Sequence, residues 1–491
     1  MNKSIIAGCF LIASFGSCKK DFLELPPQSF ISSATFYKTQ EDFAQAINGT
    51  YAALRSLYSD AYVMGEMRSD NTHYIFKATD RGGQNVQREQ IADFLDDASN
   101  AFIANKWTSS YNIIARANQI LAQIDAASFD NTAKNNIRGQ ALFLRAFSYY
   151  ELVQYFGDVP LHLVPTQGVE DAALAKTAKA GVYTQIIADA KEAATLLPLK
   201  SVQEKGRVSS GTAKTLLGYV YMTLKQYGDA ATVLKEITGS NQYTLLTDYA
   251  AVFALNNKNS SESVFEVQYI QGSLGLQSNF AYLFIPGLTN TTPITGVVGN
   301  NQIIGGWNTP TRDLINSYEA NDKRKDASIA YYTDAGGVTY PYVKKYLHTH
   351  ANYNNTDDNW PVYRYSDVLL LLAEALNEQN KSSEALAPLN LVRKRAGLTD
   401  VTTTSQTELR DIISKERRLE LAFENHRWLD LVRTGKAIEV MTAYGAKVKA
   451  NPQAYYYPAG SAPLTQSYNV TQTRLLFPIP DREIILNPLL K

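Results

Sequence analysis

The 491-residue chain is poor in the residues that staple small folds or build metal centres, with two cysteines, five histidines, five methionines and four tryptophans. Both cysteines, Cys9 and Cys18, fall in the N-terminal segment, so the rest of the chain holds no disulfide framework and no Cys/His set of zinc-site spacing. Charge of one sign is lacking too. Lys+Arg 47 against Asp+Glu 47 gives formal net charge +0, which removes the general field that draws proteins to phosphate backbones, and nucleic acid is not an expected partner. Beyond the N-terminal segment no apolar run reaches the roughly 20 residues of a membrane-spanning helix. What is present fits a large folded body, since 45% hydrophobic and 19% charged residues argue against long disorder. The length suits two or three domains of about 150 residues, or one long helical repeat array. Tyrosine is in excess, 31 against 19 phenylalanines. Its apolar face and polar tip suit wet binding surfaces as well as packing.

Lys3, the apolar residues 5–15 and the small pair Gly16-Ser17 read as a secretory signal over residues 1–17, too short to span a bilayer. Phe15-Gly16-Ser17-Cys18 resembles a bacterial lipobox, in which the cysteine is diacylated and becomes the first residue of the mature protein. Ile6-Ala7-Gly8-Cys9 fits that pattern better but leaves too few apolar residues before it, so Cys18 is the expected lipid attachment. The alternative is an ordinary signal with a bystander cysteine. Two acyl chains anchor where one does not, each buried CH₂ contributing about 0.8 kcal/mol. Residues 18–34, with Leu25-Pro26-Pro27, are the expected tether.

Apolar residues recur at helical spacing: Phe43, Ile47, Leu54, Leu57, then Ile113, Ala117, Ile120, Ile124, then Leu142, Ala146, Tyr149, Val153, Phe156. A further set, Tyr183, Ile186, Ala190, Ala194, ends at Leu197-Pro198. Leu217-Gly218-x2-Tyr221 followed by Ala230-x3-Leu234 sits at tetratricopeptide offsets, with Lys214 where Trp is usual and Gln242 where Pro is usual. Small Gly218 and Ala230 let two antiparallel helices approach, while Tyr221 and Leu234 fill the gap. Leu372-Ala373-x2-Leu376 with Ala385-x3-Leu389 repeats the arrangement. The expected fold is mainly α, a tetratricopeptide-like helical-repeat superhelix with a loop-rich, minor-β ligand-binding subregion. Residues 35–240 form its first helical part, interrupted by a loop insertion over 64–90. Residues 241–362 form the loop-rich ligand face, and 363–491 a second helical part with an irregular tail.

Six ordered stretches carry a family resemblance. They are Trp107-x3-Tyr111-x2-Ile114-x3-Asn118, Arg138-Gly139-Gln140-Ala141-x-Phe143-Leu144-Arg145-Ala146 running into Tyr155-Phe156-Gly157-Asp158-Val159-Pro160, and Arg364-Tyr365-Ser366-Asp367-Val368-Leu369 with Ala373-Glu374-Ala375. The others are Leu389-Asn390-x2-Arg393-x-Arg395-Ala396-Gly397-Leu398, Glu416-Arg417-Arg418-x-Glu420-Leu421 with His426-Arg427-Trp428-x-Asp430, and Phe477-Pro478-Ile479-Pro480 to Asn487-Pro488. With these the chain resembles the SusD/RagB family of outer-membrane lipoproteins from Bacteroidetes. The resemblance implies a cell-surface, lipid-anchored protein that is not an enzyme and has no cofactor. Such a protein captures oligosaccharides and passes them to a SusC-like TonB-dependent transporter. RagB-like capture of peptides is the alternative, and an exported glycan hydrolase or scaffold on a helical-repeat fold is the reading from another class.

Glu416 and Glu420, one helical turn apart, could be paired carboxylates for acid/base work. With Arg393, Arg395, Arg417, Arg427 and Arg433 close in sequence, inter-helix ion pairs are the stronger expectation. His348-x-His350 lacks neighbouring ligand spacing, and calcium stays open because oxygen ligands need no distinctive pattern. No HExxH, GxSxG, GxxxxGK or GxGxxG occurs. Sugar rings need flat aromatic faces plus amide, carboxylate or guanidinium partners. Two segments offer that mixture, and from them Asp70, Asn71, Tyr74, Phe76, Arg81, Tyr282, Phe284 and Trp307 are candidate ligand contacts. Trp360, before Pro361, joins them. Trp307 and Trp360 stay open between packing and contact, whereas Trp107 and Trp428 fall in helical motifs and belong to the core.

Overall fold

A computed structural model describes residues 36–299 and 302–491, and the expected signal, Cys18 and tether lie outside the described residues. Helices begin where the local sequence caps them. α1 (Gln40–Tyr58) starts at Thr39, which accepts from the Asp42 amide while the Asp42 carboxylate accepts from the Thr39 amide. α2 (Ala101–Gln123) and α3 (Asn131–Phe156) start at Asn100 and Asp130, whose side chains accept from first-turn amides. α4 (Lys179–Leu196) ends where Pro198 holds Leu197 extended. There follow α5 (Ser210–Thr223), α6 (Tyr227–Thr238), α7 (Tyr365–Glu378), α8 (Ser382–Arg395), α9 (Gln406–Glu420), α10 (Arg427–Arg433) and α11 (Ala437–Ala450).

From α1 to α8 every helix packs on its predecessor and its successor, as in a tetratricopeptide-like superhelix. Gly218 on α5 faces Leu234 on α6 so closely that an added Cβ would stand 2.8 Å from Leu234 Cδ2, which is why the sequence keeps a glycine there. Ala373, Leu376, Ala385 and Leu389 are buried in the matching α7–α8 hairpin. Because α6 packs directly on α7, the stack continues across the residues between them, which leave it as a looped-out layer.

Three small antiparallel sheets organise that layer. β2 (Ser263–Val267) pairs with β6 (Trp360–Arg364) at its root, every residue of both strands buried. β1 (Thr72–His73) pairs with β3 (Thr309–Pro310), and β4 (Ile329–Thr333) with β5 (Thr339–Val343) in a hairpin.

Ion pairs hold the root to the helical stack; of the expected cations Arg393 and Arg395 reach Glu416 and Glu420, and further arginines join them. Arg364 donates to Glu262 (2.9 Å), Glu420 (2.9 Å) and Glu424 (2.7 Å), while Arg324 donates to Asp322 (2.7 Å), Glu416 (2.6 Å) and Glu420 (3.3 Å). Burial alone would raise the Glu420 carboxyl, but Arg395, Arg364 and Arg324 outweigh it and hold the group well below the usual carboxylate range. Glu416, held by Arg324 and Arg393, and Glu420 are therefore parts of a structural network rather than an acid/base pair. Trp107 and Trp428 are buried as expected.

The 64–90 segment differs from the expected loop insertion. Residues 61–74 are buried throughout, and Gly83–Ala92 is helical. That helix buries only Glu89, Ile91 and Ala92, so its apolar stripe is too narrow to read from sequence.

Candidate functional site

A cleft of about 740 Å³ lies between the chain after β1, the β4–β5 hairpin, the short helix Arg312–Ile315 and residues 453–458. Its aromatic wall includes Phe76, Tyr331, Tyr340 and Tyr456, and its polar wall Arg312, Asn316 and Gln453. Among the described residues no carboxylate lines it.

Buried polar groups build the Phe76 wall. Asp70 accepts from Arg427 (2.8 Å) and Arg418 (2.9 Å), which fastens the chain before β1 to the C-terminal helices. Burial raises the Asp70 carboxyl, yet the two guanidiniums outweigh that and bring it to about 2. Asn71 donates to Glu66 (2.8 Å) and accepts from Arg418 (2.8 Å), and its backbone carbonyl accepts from the Thr311 amide (2.9 Å). The two-residue β1–β3 ladder follows directly, so Arg312 and Phe76 leave the same pair of strands. The Ile75 amide donates to Gly306 (2.7 Å) and the Phe76 amide to Tyr456 (3.1 Å). The Phe76 ring stacks on Tyr457 with centroids 5.2 Å apart, and the Arg81 guanidinium stands 4.7 Å from the Phe76 centroid. Tyr456 adopts left-handed backbone geometry (φ 68°) and donates its phenol to the Pro310 carbonyl. Tyr331 is 53% exposed on β4. Desolvation raises the Tyr331, Tyr340 and Tyr456 phenols, so at neutral pH they are protonated hydrogen-bond donors.

Of the candidate contacts, the structure places Phe76 in this wall and the exposed Arg81 beside it, where Arg81 also pairs with Glu89 (2.6 Å). Asp70 and Asn71 are buried positioning groups. The other rings require correction. Tyr74 (1% exposed) shares a phenol–phenol hydrogen bond of 2.5 Å with Tyr457 and donates to Asp93 (3.1 Å). Tyr282 (0%) bonds His350 (2.7 Å), Phe284 (0%) packs on Tyr62, and Trp360 (1%) stacks on Tyr346. Trp307 is 4% exposed, under Lys77 and Arg88. Rings without a solvent-facing surface cannot stack on a sugar; they form the aromatic core beneath the layer. Sequence reading missed Arg312, Tyr331, Tyr340, Tyr456 and Gln453. The tyrosine run at 455–457 and the Tyr331-Tyr332 and Tyr340-Pro341-Tyr342 pairs were the available signal.

His348 bonds Asp358 (2.5 Å) and His350 bonds the His348 carbonyl (2.7 Å), so both rings are engaged. Among the described residues no three His, Cys, Asp or Glu side chains converge on a metal-sized site. A cavity of about 40 Å³ beside the buried Lys106–Glu151 pair is too small for a sugar ring.

Fold and cleft together define a helical-repeat protein that carries an open aromatic groove on a layer looped out of the stack. A model of the SusD family matches residues 326–491, and one described as starch-binding associating with outer membrane matches residues 21–222. Between them the two models span most of the chain, which is similar to the SusD/RagB proteins of Bacteroidetes. It is 29% identical to SusD-like protein P2 of Formosa agariphila, over 96% of this chain and 99% of that one. A SusD-like carbohydrate-binding protein of Bacteroides fragilis superposes with TM-score 0.78 at 25% identity, covering 93% of this chain and all (100%) of that one. A laminarin-binding SusD-like protein superposes with TM-score 0.75 at 25% identity, covering 92% and 98%.

Proposed function

We propose that this chain is a cell-surface lipoprotein that captures oligosaccharides in the aromatic cleft and passes them, unaltered, to a SusC-like TonB-dependent transporter. The observation that carries the reading is the cleft lining: flat rings of Phe76, Tyr331, Tyr340 and Tyr456 beside the amides of Asn316 and Gln453. Pyranose C–H faces stack on such rings while amides and phenols take the hydroxyls. Glycoside hydrolysis commonly uses two flanking carboxyl groups, and a wall without a carboxylate supports binding rather than turnover. The family description and the carbohydrate-binding and laminarin-binding relatives support a glycan as ligand. Diacylation at Cys18 supplies the attachment to the outer membrane in this reading.

Titration calorimetry of the mature protein against neutral and acidic oligosaccharides and against peptides tests it. Tyr331→Ala removes an exposed ring and is expected to weaken glycan binding about tenfold with folding unchanged. Tight peptide binding without glycan binding, or release of cleaved sugar, would overturn the proposal.

A further inference from the structure

Among the described residues the cleft is lined by one charged group, Arg312, with no Asp, Glu, Lys or His beside it. Arginines in this protein are otherwise committed. Among the described residues each arginine except Arg312 and Arg482 donates a hydrogen bond to the protein. Arg312 thus stands at the wall of a sugar-sized groove with its fork of donors unspent.

The carboxylates near it are occupied elsewhere or lie outside the wall. Asp313 is engaged by Lys447 (2.5 Å) and by the Tyr455 phenol (2.6 Å). Asp334 accepts from the Gly336 and Val338 amides (2.9 Å each) in the β4–β5 turn, and the exposed Asp326 is not part of the lining. Glu89 pairs with Arg81. The Arg312 charge is therefore uncompensated within the groove, beside rings that exclude water from one side of any bound sugar. A guanidinium in that setting favours a ligand with a planar or tetrahedral oxyanion, which it can grip through two parallel N–H donors.

We infer that the cleft selects acidic glycans, with Arg312 as the specificity-determining residue that binds a uronate carboxylate or a sulfate ester on a sugar stacked against the tyrosines. This rests on the glycan-binding reading above and adds the charge of the ligand to it. A neutral glucan or xylan would leave Arg312 hydrated and gain nothing from it.

The test is a binding panel of oligogalacturonate, oligoalginate, chondroitin sulfate and carrageenan oligosaccharides beside laminarin, xylan and starch oligosaccharides, run with the wild type, Arg312→Gln and Arg312→Lys. The tightest ligands should be acidic. Arg312→Gln should lower their affinity about tenfold, equivalent to about 1.4 kcal/mol, a larger loss than for any neutral glycan. Arg312→Lys should restore part of the loss, and acidic ligands should weaken as salt rises. The uronate and sulfate arms separate the two kinds of oxyanion. Because the Arg312 side chain makes no hydrogen bond or ion pair among the described residues, its replacement should not change the unfolding midpoint. Tightest binding by neutral glycans, or acidic binding untouched by Arg312→Gln, overturns this inference alone. Absence of any glycan binding, with Tyr331→Ala silent, overturns the reading beneath it.

Discussion

Replacing Asp70 by asparagine keeps the side-chain shape and removes the charge that fastens the cleft to the C-terminal helices. Its carboxyl lies near 2, against an ordinary value of 3.8, because the Arg418 and Arg427 guanidiniums overcome the burial that would raise it. At about 1.4 kcal/mol per unit, that difference alone contributes about 2.5 kcal/mol to folding at neutral pH. Asparagine also leaves two nearly buried guanidiniums without a counter-charge, a situation that costs about 3–5 kcal/mol when a buried pair is broken. The expected destabilisation is thus about 2–5 kcal/mol, read from urea unfolding followed by tryptophan fluorescence. The pH dependence makes the test specific. A depressed folded-state value means stability that is fully present above the unfolded value near 3.8 and lost as pH falls through 2. The gap between wild type and Asp70→Asn should therefore stay constant above about pH 5 and shrink to roughly half near pH 3. Glycan affinity should fall as well, since the β1–β3 ladder that aims Phe76 loses its anchor. A gap at neutral pH below about 0.5 kcal/mol, or one that widens on acidification, would refute the reasoning.

Glu66 and Asp93 are pushed up to about 7 by burial, so the folded protein retains their protons where the unfolded chain releases them, and their contribution to stability falls as pH rises from the unfolded values through 7. Glu66→Gln should remove about half of that slope, measured by denaturation at several pH values, and an unchanged slope would show that Glu66 is not its source. Gly445→Ala on α11 sets a Cβ 2.2 Å from Tyr468 Cβ, so overpacking of about 1–3 kcal/mol is expected, and a variant with an unaltered melting point would contradict the packing described. Cys18→Ala should move the protein from the membrane fraction to the soluble one in cell fractionation. Retention in the membrane would point to another attachment.

The Gly218–Leu234 contact was legible because tetratricopeptide spacing records a close approach between helices only a few residues apart. The ion pairs of Glu416 and Glu420 were legible for a similar reason, their partners Arg393 and Arg395 lying on the preceding helix. The rings that line the cleft were not. Tyr282, Phe284 and Trp360 carry the same residue types in the same kind of irregular segment as Tyr331 and Tyr456, yet the first three are buried and Tyr331 is exposed. On β4 the two-residue alternation turns Tyr331 outward, whereas both faces of β6 are covered and Trp360 has no outside to face.

By itself the sequence determined the helices, their pairing into a repeat stack and the family likeness, since helix periodicity and interhelical close packing act over short stretches of chain. Only the tertiary structure decided which aromatics form the cleft and that Arg312 stands free within it. That outcome depends on Asp70 reaching Arg427 across 357 residues and on β1 meeting β3, contacts whose partners no local pattern encodes.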